Sequence, residues 1–231
     1  MKKICICGGG ALGHVAAGYI AARSKAEVRV LTNHPERWSR SISVHTPEGE
    51  SLIGSLSMIS SSAKDVVTGA DVLLFCLPGF LIKEELEKVK PYLGTDAYVG
   101  TVFSSTGFFF EALKILSPEQ PLWGFQRVPF ISRVVEYGHS ANLLGYKSGF
   151  NITVEHVSDE EKSQFADWVA DAFGRPVHLL RNYLEASLTN SNPILHTSRL
   201  YTLFSDWYEG VRYPSQFAFY DTWDVASAQR L

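Results

Sequence analysis

An apolar run, Ile4–Cys7, breaks into Gly8-Gly9-Gly10 and resumes as an alanine-rich stretch that carries Gly13. The spacing Gly8, Gly10, Gly13 reads G-x-G-x-x-G, with a strand expected before it and a helix after it. That context constrains the fold more than any other feature, because it is the turn of a βαβ dinucleotide-binding unit. Gly8 is expected to allow the tight turn, and Gly10 to let a pyrophosphate approach the backbone. Gly13 lets the helix pack close to the strand, with its free N–H groups aimed at the phosphates. Ala11 and Leu12, between these glycines, join them as cofactor-binding candidates.

Strand and helix patterns alternate up to about residue 116. Residues 27–32 and 71–78 read as strands, the second apolar enough to be buried on both faces. Residues 81–93 mix charge and leucine as a helix does, and 97–104 return to strand. Such alternation implies a parallel sheet with helices on both faces, an α/β doubly wound fold of Rossmann type. The β-branched and aromatic stretches around 121–135 and 147–157 are expected to complete the sheet's far edge. The serine-rich segment 57–64 reads as a loop.

The pattern changes near residue 158. Ser158 and Glu161 have capping-box spacing, and Gly174 and Pro176 end the helix they open. From about residue 183 the chain reads mostly helical. The expected organisation is therefore an NAD(P)-binding Rossmann domain over 1–155. An all-helical second domain over 156–231 would serve substrate binding or dimerisation. Nine aromatics from Tyr201 to Trp223 read as the core of that second domain, the alternative being a pocket or interface.

Composition narrows the partners. With 231 residues, 45% hydrophobic, the chain can bury a real core, and its net charge of −3 gives no reason to expect nucleic acid or an acidic membrane. Met1-Lys2-Lys3 before an apolar stretch imitates a secretory signal, but four glycines and His14 interrupt it, so a cytoplasmic protein is expected. No uncharged apolar run of membrane-spanning length occurs. Cys5, Cys7 and Cys76 lie on expected strands or their ends and read as buried small hydrophobes in a reducing compartment. No cysteine or histidine spacing points to a metal.

The second strand ends at Thr32-Asn33, where the NAD version of this fold carries an acidic residue. Asn33 can donate a hydrogen bond, and Arg37 or Arg40 can pair with a 2′-phosphate that a carboxylate would repel. The pattern favours NADP(H), with NAD(H) the alternative. Cys76, Leu77 and Pro78, at the carboxyl end of a core strand, are expected to line the adenosine side of the crevice. Ser104, Ser105 and Thr106 are expected nearer the nicotinamide.

Hydride transfer also needs a proton donor near the substrate. The chain has no lysine after Lys162, which removes the usual ammonium donor from the second domain. His196 remains, three residues after Pro193 and one turn beyond Asn192, and a histidine titrates near neutral pH. A structural role for it is the competing reading. His14 can touch the cofactor but follows the glycines too closely to serve the substrate.

The stretches "GGGALG", "CLPG", "VPFISRVVEYG" and above all "LEASLTNSNPILHTSRL" resemble the opine dehydrogenases, the octopine and nopaline dehydrogenase group. The resemblance runs over essentially the whole chain. It implies a Rossmann domain followed by an all-helical one, with NAD(P)H reducing the imine formed from an amino acid and a 2-keto acid. It places the catalytic histidine at His196 and its partner aspartate beyond Leu231, so the chain is expected to be C-terminally truncated relative to the family. Asn192, Arg133 and Arg199 are the substrate-binding candidates, the two arginines as bidentate clamps for a carboxylate. The partners are then small molecules, and a homodimer is open. The rival readings are a 2-dehydropantoate reductase-like 2-keto acid reductase, against which the missing lysine counts, and a non-catalytic nucleotide-binding protein.

Overall fold

A computed structural model describes residues 1–212 and 225–229. Strand β1 (Lys3–Cys7) lies inside an eight-stranded sheet and is buried on both faces from Ile4 onwards. Helix α1 (Ala11–Arg23) returns the chain to β2 (Glu27–Leu31), parallel to β1. The chain then leaves the sheet for the hairpin β3 (Ser41–His45) and β4 (Ser51–Ser55), and comes back as β5 (Met58–Ser60) on the edge of β2.

On the other side of β1 the chain runs α2 (Ala63–Val67), β6 (Val72–Phe75), α3 (Ile82–Val89), β7 (Tyr98–Thr101), α4 (Phe108–Ile115) and β8 (Leu122–Phe125). Strands β9 (Phe130–Glu136) and β10 (Ser140–Tyr146) form a second hairpin. Strand β11 (Phe150–Glu155) pairs antiparallel with β8, helix α5 (Asp159–Phe173) follows, and β12 (Val177–Leu179) runs parallel to β11. The order is β12-β11-β8-β7-β6-β1-β2-β5, a Rossmann-type sheet with its switch point between β1 and β6. The short helix α6 (Tyr183–Leu188) closes this part of the chain.

Two expectations are corrected. The stretch at 130–136 does not complete the sheet's far edge but pairs with β10 in a separate four-stranded sheet, β4-β3-β10-β9. That sheet covers α1, whose residues Gly13–Ile20 are all buried, so the helix lies between two sheets rather than facing solvent. Gly18 makes this possible, since a side chain there would run into Ile42 and Val44 of β3. Part of the serine-rich 57–64 segment is a strand, because the outer edge of β2 needs partners: Thr32 N–H, just past β2, donates to the Ser60 carbonyl at 3.0 Å.

Helix α5 opens with the expected capping box. Ser158 Oγ accepts the Glu161 N–H, and the Glu161 carboxylate accepts the Ser158 N–H at 2.8 Å. Gly174 ends the helix in the left-handed conformation, with φ 62°. The buried face of α5 carries Phe165, whose ring stacks on Tyr98 of β7 at 4.1 Å. This helix and β12 belong with the sheet, so the first compact unit is Met1–Thr189 and the second is Asn190–Leu231, where the sequence placed a change near 155.

Within the second unit, α7 (Asn192–Phe204) starts with Pro193 in its first turn, and α8 (Val225–Ala228) follows. Of the nine aromatics between 201 and 223, Tyr213, Phe217, Phe219, Tyr220 and Trp223 lie outside the described residues. Tyr201, Trp207 and Tyr208 are exposed. Among the described residues no helix is long and apolar enough to cross a membrane.

Candidate functional site

The glycine loop joins β1 to α1. Its Gly8 has φ 122°, and a Cβ there would lie 2.7 Å from the Cys76 carbonyl, so the turn and the neighbouring strand end both demand glycine. A Cβ on Gly13 would overlap the Gly8 carbonyl oxygen, which is the close helix–loop approach expected of the third glycine. Gly10 differs: a Cβ there meets nothing within 4 Å. The open space lies in a cleft of about 560 Å³. No side chain caps α1 and its first turn carries no acid, so its free N–H groups and dipole favour an anion.

The cleft sits at the carboxyl ends of three strands. Gly10, Ala11 and Leu12 follow β1, Cys76, Leu77 and Pro78 follow β6, and Val102, Phe103 and Thr106 follow β7. Its far wall comes from the β8–β9 connection and β9 itself: Val128, Phe130, Ile131, Ser132 and Arg133. Arg133 therefore shares the cleft with the glycine loop. The β9 residues Phe130 to Ser132, within the family-like stretch 128–138, read in the sequence as sheet edge and not as a wall of the cleft. Of the three hydroxyl residues expected near the nicotinamide, Thr106 lines the cleft. Ser104 is buried and donates to the Phe125 carbonyl at 2.7 Å, and Ser105 donates to Ser187 at 2.9 Å.

A second, smaller hollow of about 140 Å³ opens on the other side of the loop. Gly8, Gly9, Thr32, Asn33 and Leu77 line it together with Leu81, Glu84, Glu85 and Lys88 of α3 and its lead-in. Asn33 thus lies just past the end of β2, lining this hollow with Gly8 and Gly9. Arg37 lines neither space; its guanidinium sits 4.5 Å from the Tyr137 ring centroid. Arg40 is exposed, and its carbonyl accepts the Leu56 N–H.

His14 is fully buried and faces away from the cleft. Its Nδ1 lies 2.9 Å from the Gly10 carbonyl, and its Nε2 accepts the Gly138 N–H at 2.7 Å. Burial holds its pKa below the ordinary value, partly offset by the Gly10 bond. Tyr137, in the β9–β10 turn, reaches the same place: its hydroxyl lies 3.4 Å from Thr32 Oγ1, beside Gly9. Tyr137 belongs to the family-like stretch 128–138, but nothing in its spacing gives it a place beside the loop. The three thiols are buried, and burial pushes Cys76 up to about 12, so it stays protonated as a small apolar group. Among the described residues no group of three or more His, Cys, Asp or Glu is placed to hold a metal.

In the second unit, Asn192 is exposed and His196 half-buried on α7. Arg199, one turn on from His196, is 1% exposed, and its Nη1 donates to Ser227 Oγ at 3.1 Å.

Residues 4–104 match the ketopantoate reductase PanE/ApbA family. Octopine dehydrogenase of Mizuhopecten yessoensis is 27% identical over 252 residues, covering 99% of this chain and 61% of the relative. Over nearly its whole length the chain is similar to octopine and opine dehydrogenases. Opine dehydrogenase of Haliotis discus hannai is likewise 27% identical over 254 residues, covering 100% of this chain and 62% of its own length. A solved octopine dehydrogenase in complex with NADH and agmatine superposes with a TM-score of 0.85 at 25% identity, over 99% of this chain and 60% of that one. The chain thus spans about three-fifths of the length of the relatives it matches.

Proposed function

We propose that this protein is an NAD(P)H-dependent oxidoreductase of opine dehydrogenase type, reducing the imine of an amino acid and a 2-keto acid. The observation that carries the reading is the open cleft over Gly10, walled by Cys76–Pro78 and by Arg133, in a chain similar throughout to octopine dehydrogenase. The octopine dehydrogenase structure was solved with NADH, which supports a nicotinamide dinucleotide here. The reduced cofactor supplies the hydride for the imine carbon. The N–H groups at the start of α1, with Gly10, Ala11 and Leu12, hold the pyrophosphate, and Leu77 and Pro78 flank it. Arg133 holds a substrate carboxylate with its guanidinium. His196 gives a proton to the substrate nitrogen and recovers it each cycle, with Asn192 and Arg199 as its neighbours on α7.

Between the two nucleotides, the acid-free tip of β2 at Asn33 is what supports NADP(H), since Arg37 lines neither the cleft nor the hollow, and NAD(H) is the alternative. The three free, buried cysteines support a reducing, cytoplasmic setting for the protein. The match of residues 4–104 to ketopantoate reductases favours one second reading, reduction of a 2-keto acid alone.

Calorimetric titration and turnover assays test this. NADH or NADPH is expected to bind, and oxidation of the cofactor to require an amino acid together with a 2-keto acid. His196→Asn should lower turnover about 10²- to 10⁴-fold with cofactor affinity unchanged. Equal turnover with the keto acid alone would support the reductase reading, and a fully active His196→Asn would remove His196 from the mechanism.

A further inference from the structure

The hollow beside Asn33 bears on which nucleotide the chain selects. In a Rossmann unit the adenosine ribose comes to the carboxyl tip of the second strand, where an acidic residue takes its hydroxyls. The tip of β2 has none. Yet the space next to Asn33 is not free of carboxylates: Glu84 and Glu85 of α3 line it as well. Glu85 is the deeper of the two, with a side chain 17% exposed and Oε1 3.5 Å from Lys88 Nζ. Its charge is also felt at Cys7, the residue before the glycine loop, where it adds to the larger effects of the Cys5 hydrogen bond and burial in raising that thiol's pKa. Among the described residues Lys88 is the sole cation lining the hollow. Neither arginine of the β2–β3 connection lines it.

We propose that Glu85 supplies from α3 the carboxylate that β2 lacks, accepting a hydrogen bond from the adenosine 2′-hydroxyl and selecting NAD(H) over NADP(H). This inference rests on the dinucleotide reading above. A hydroxyl donates to the free oxygen of Glu85 and leaves the Lys88 pair intact. A 2′-phosphate brings nearly two negative charges against Glu84 and Glu85, with one ammonium, already shared, to offset them. The hollow is small and the Glu85 side chain in it is mostly buried, so salt screens this repulsion less than on an open surface. The NADP(H) preference drawn from Asn33 and the arginines considers only the β2 side of the ribose. The α3 side carries the opposite charge.

The test is direct binding of NADH and NADPH to the purified chain, followed calorimetrically, in wild type, Glu85→Gln and Glu84→Gln, with a thermal melt of each variant. Wild type should bind NADH at least about tenfold more tightly than NADPH. Glu85→Gln keeps the shape, removes the charge and releases Lys88. It should weaken NADH and strengthen NADPH, closing the gap by about ten- to a hundredfold. Glu84→Gln should strengthen NADPH while leaving NADH nearly unchanged. A wild-type preference for NADPH that Arg37→Ala removes would overturn the inference and leave the dinucleotide reading standing. So would an unaltered ratio in a folded Glu85→Gln. Failure of both nucleotides to bind wild type would overturn that reading and this inference together.

Discussion

His14 and Gly138 tie the glycine loop to the second sheet: the Gly138 N–H donates to His14 Nε2 at 2.7 Å, while His14 Nδ1 lies 2.9 Å from the Gly10 carbonyl. Both contacts are hydrogen bonds only when Nδ1 carries the proton and the ring is neutral. The ring also packs 4.2 Å from Trp38 and 5.1 Å from Tyr137, so one side chain fixes the β9–β10 turn over the loop.

His14→Leu keeps apolar packing but leaves the buried Gly138 N–H without its acceptor. It should cost about 1–3 kcal/mol in urea unfolding. Because Tyr137 and Gly9 are then no longer held in register, nucleotide binding should weaken as well. Wild-type stability in the variant would mean that the turn is held by other contacts.

The same bond predicts a pH dependence. Burial keeps the folded His14 pKa below 6.5, so the unfolded chain takes up the proton more readily than the folded one. The stability this represents is complete above the unfolded pKa and is lost as the pH falls through the folded one. Urea midpoints at about pH 7.5 and about pH 5 should fall further in wild type than in His14→Leu. The difference between the two proteins isolates His14 from the other titrating groups.

Gly10 and Gly13 should separate binding from folding. Gly10→Val projects into open space, so its melting should stay within about 1 kcal/mol of wild type while dinucleotide binding is lost. Gly13→Ala forces a Cβ onto the Gly8 carbonyl and should destabilise by about 1–3 kcal/mol or more. Calorimetric binding together with thermal melts distinguishes the two; nucleotide bound normally by Gly10→Val would reduce the loop to a tight turn.

Ser158→Ala removes the side chain that accepts the Glu161 N–H at the start of α5. A stability loss of about 1 kcal/mol is expected in urea, with nucleotide affinity unchanged because α5 lines neither the cleft nor the hollow. A larger loss would mean that the α5 entry also anchors the sheet beneath it.

The local features are legible in the sequence alone. The glycine spacing, the alternation of strand and helix, and the Ser158–Glu161 box each depend on residues a few positions apart, where backbone geometry and side-chain period act directly. Sheet membership was not legible. Alternating burial at Phe130 and Ser132, or at Ile42 and Val44, declares a strand with one covered face but not which sheet it joins. The α1 surface decided that, by leaving room at Gly18 for a second sheet. The partners of the glycine loop came the same way. Gly138 is 124 positions from His14, and Glu85 reaches the Asn33 hollow from a different helix. Such pairs carry no shared period or motif, since packing of distant segments, rather than local preference, brings them together.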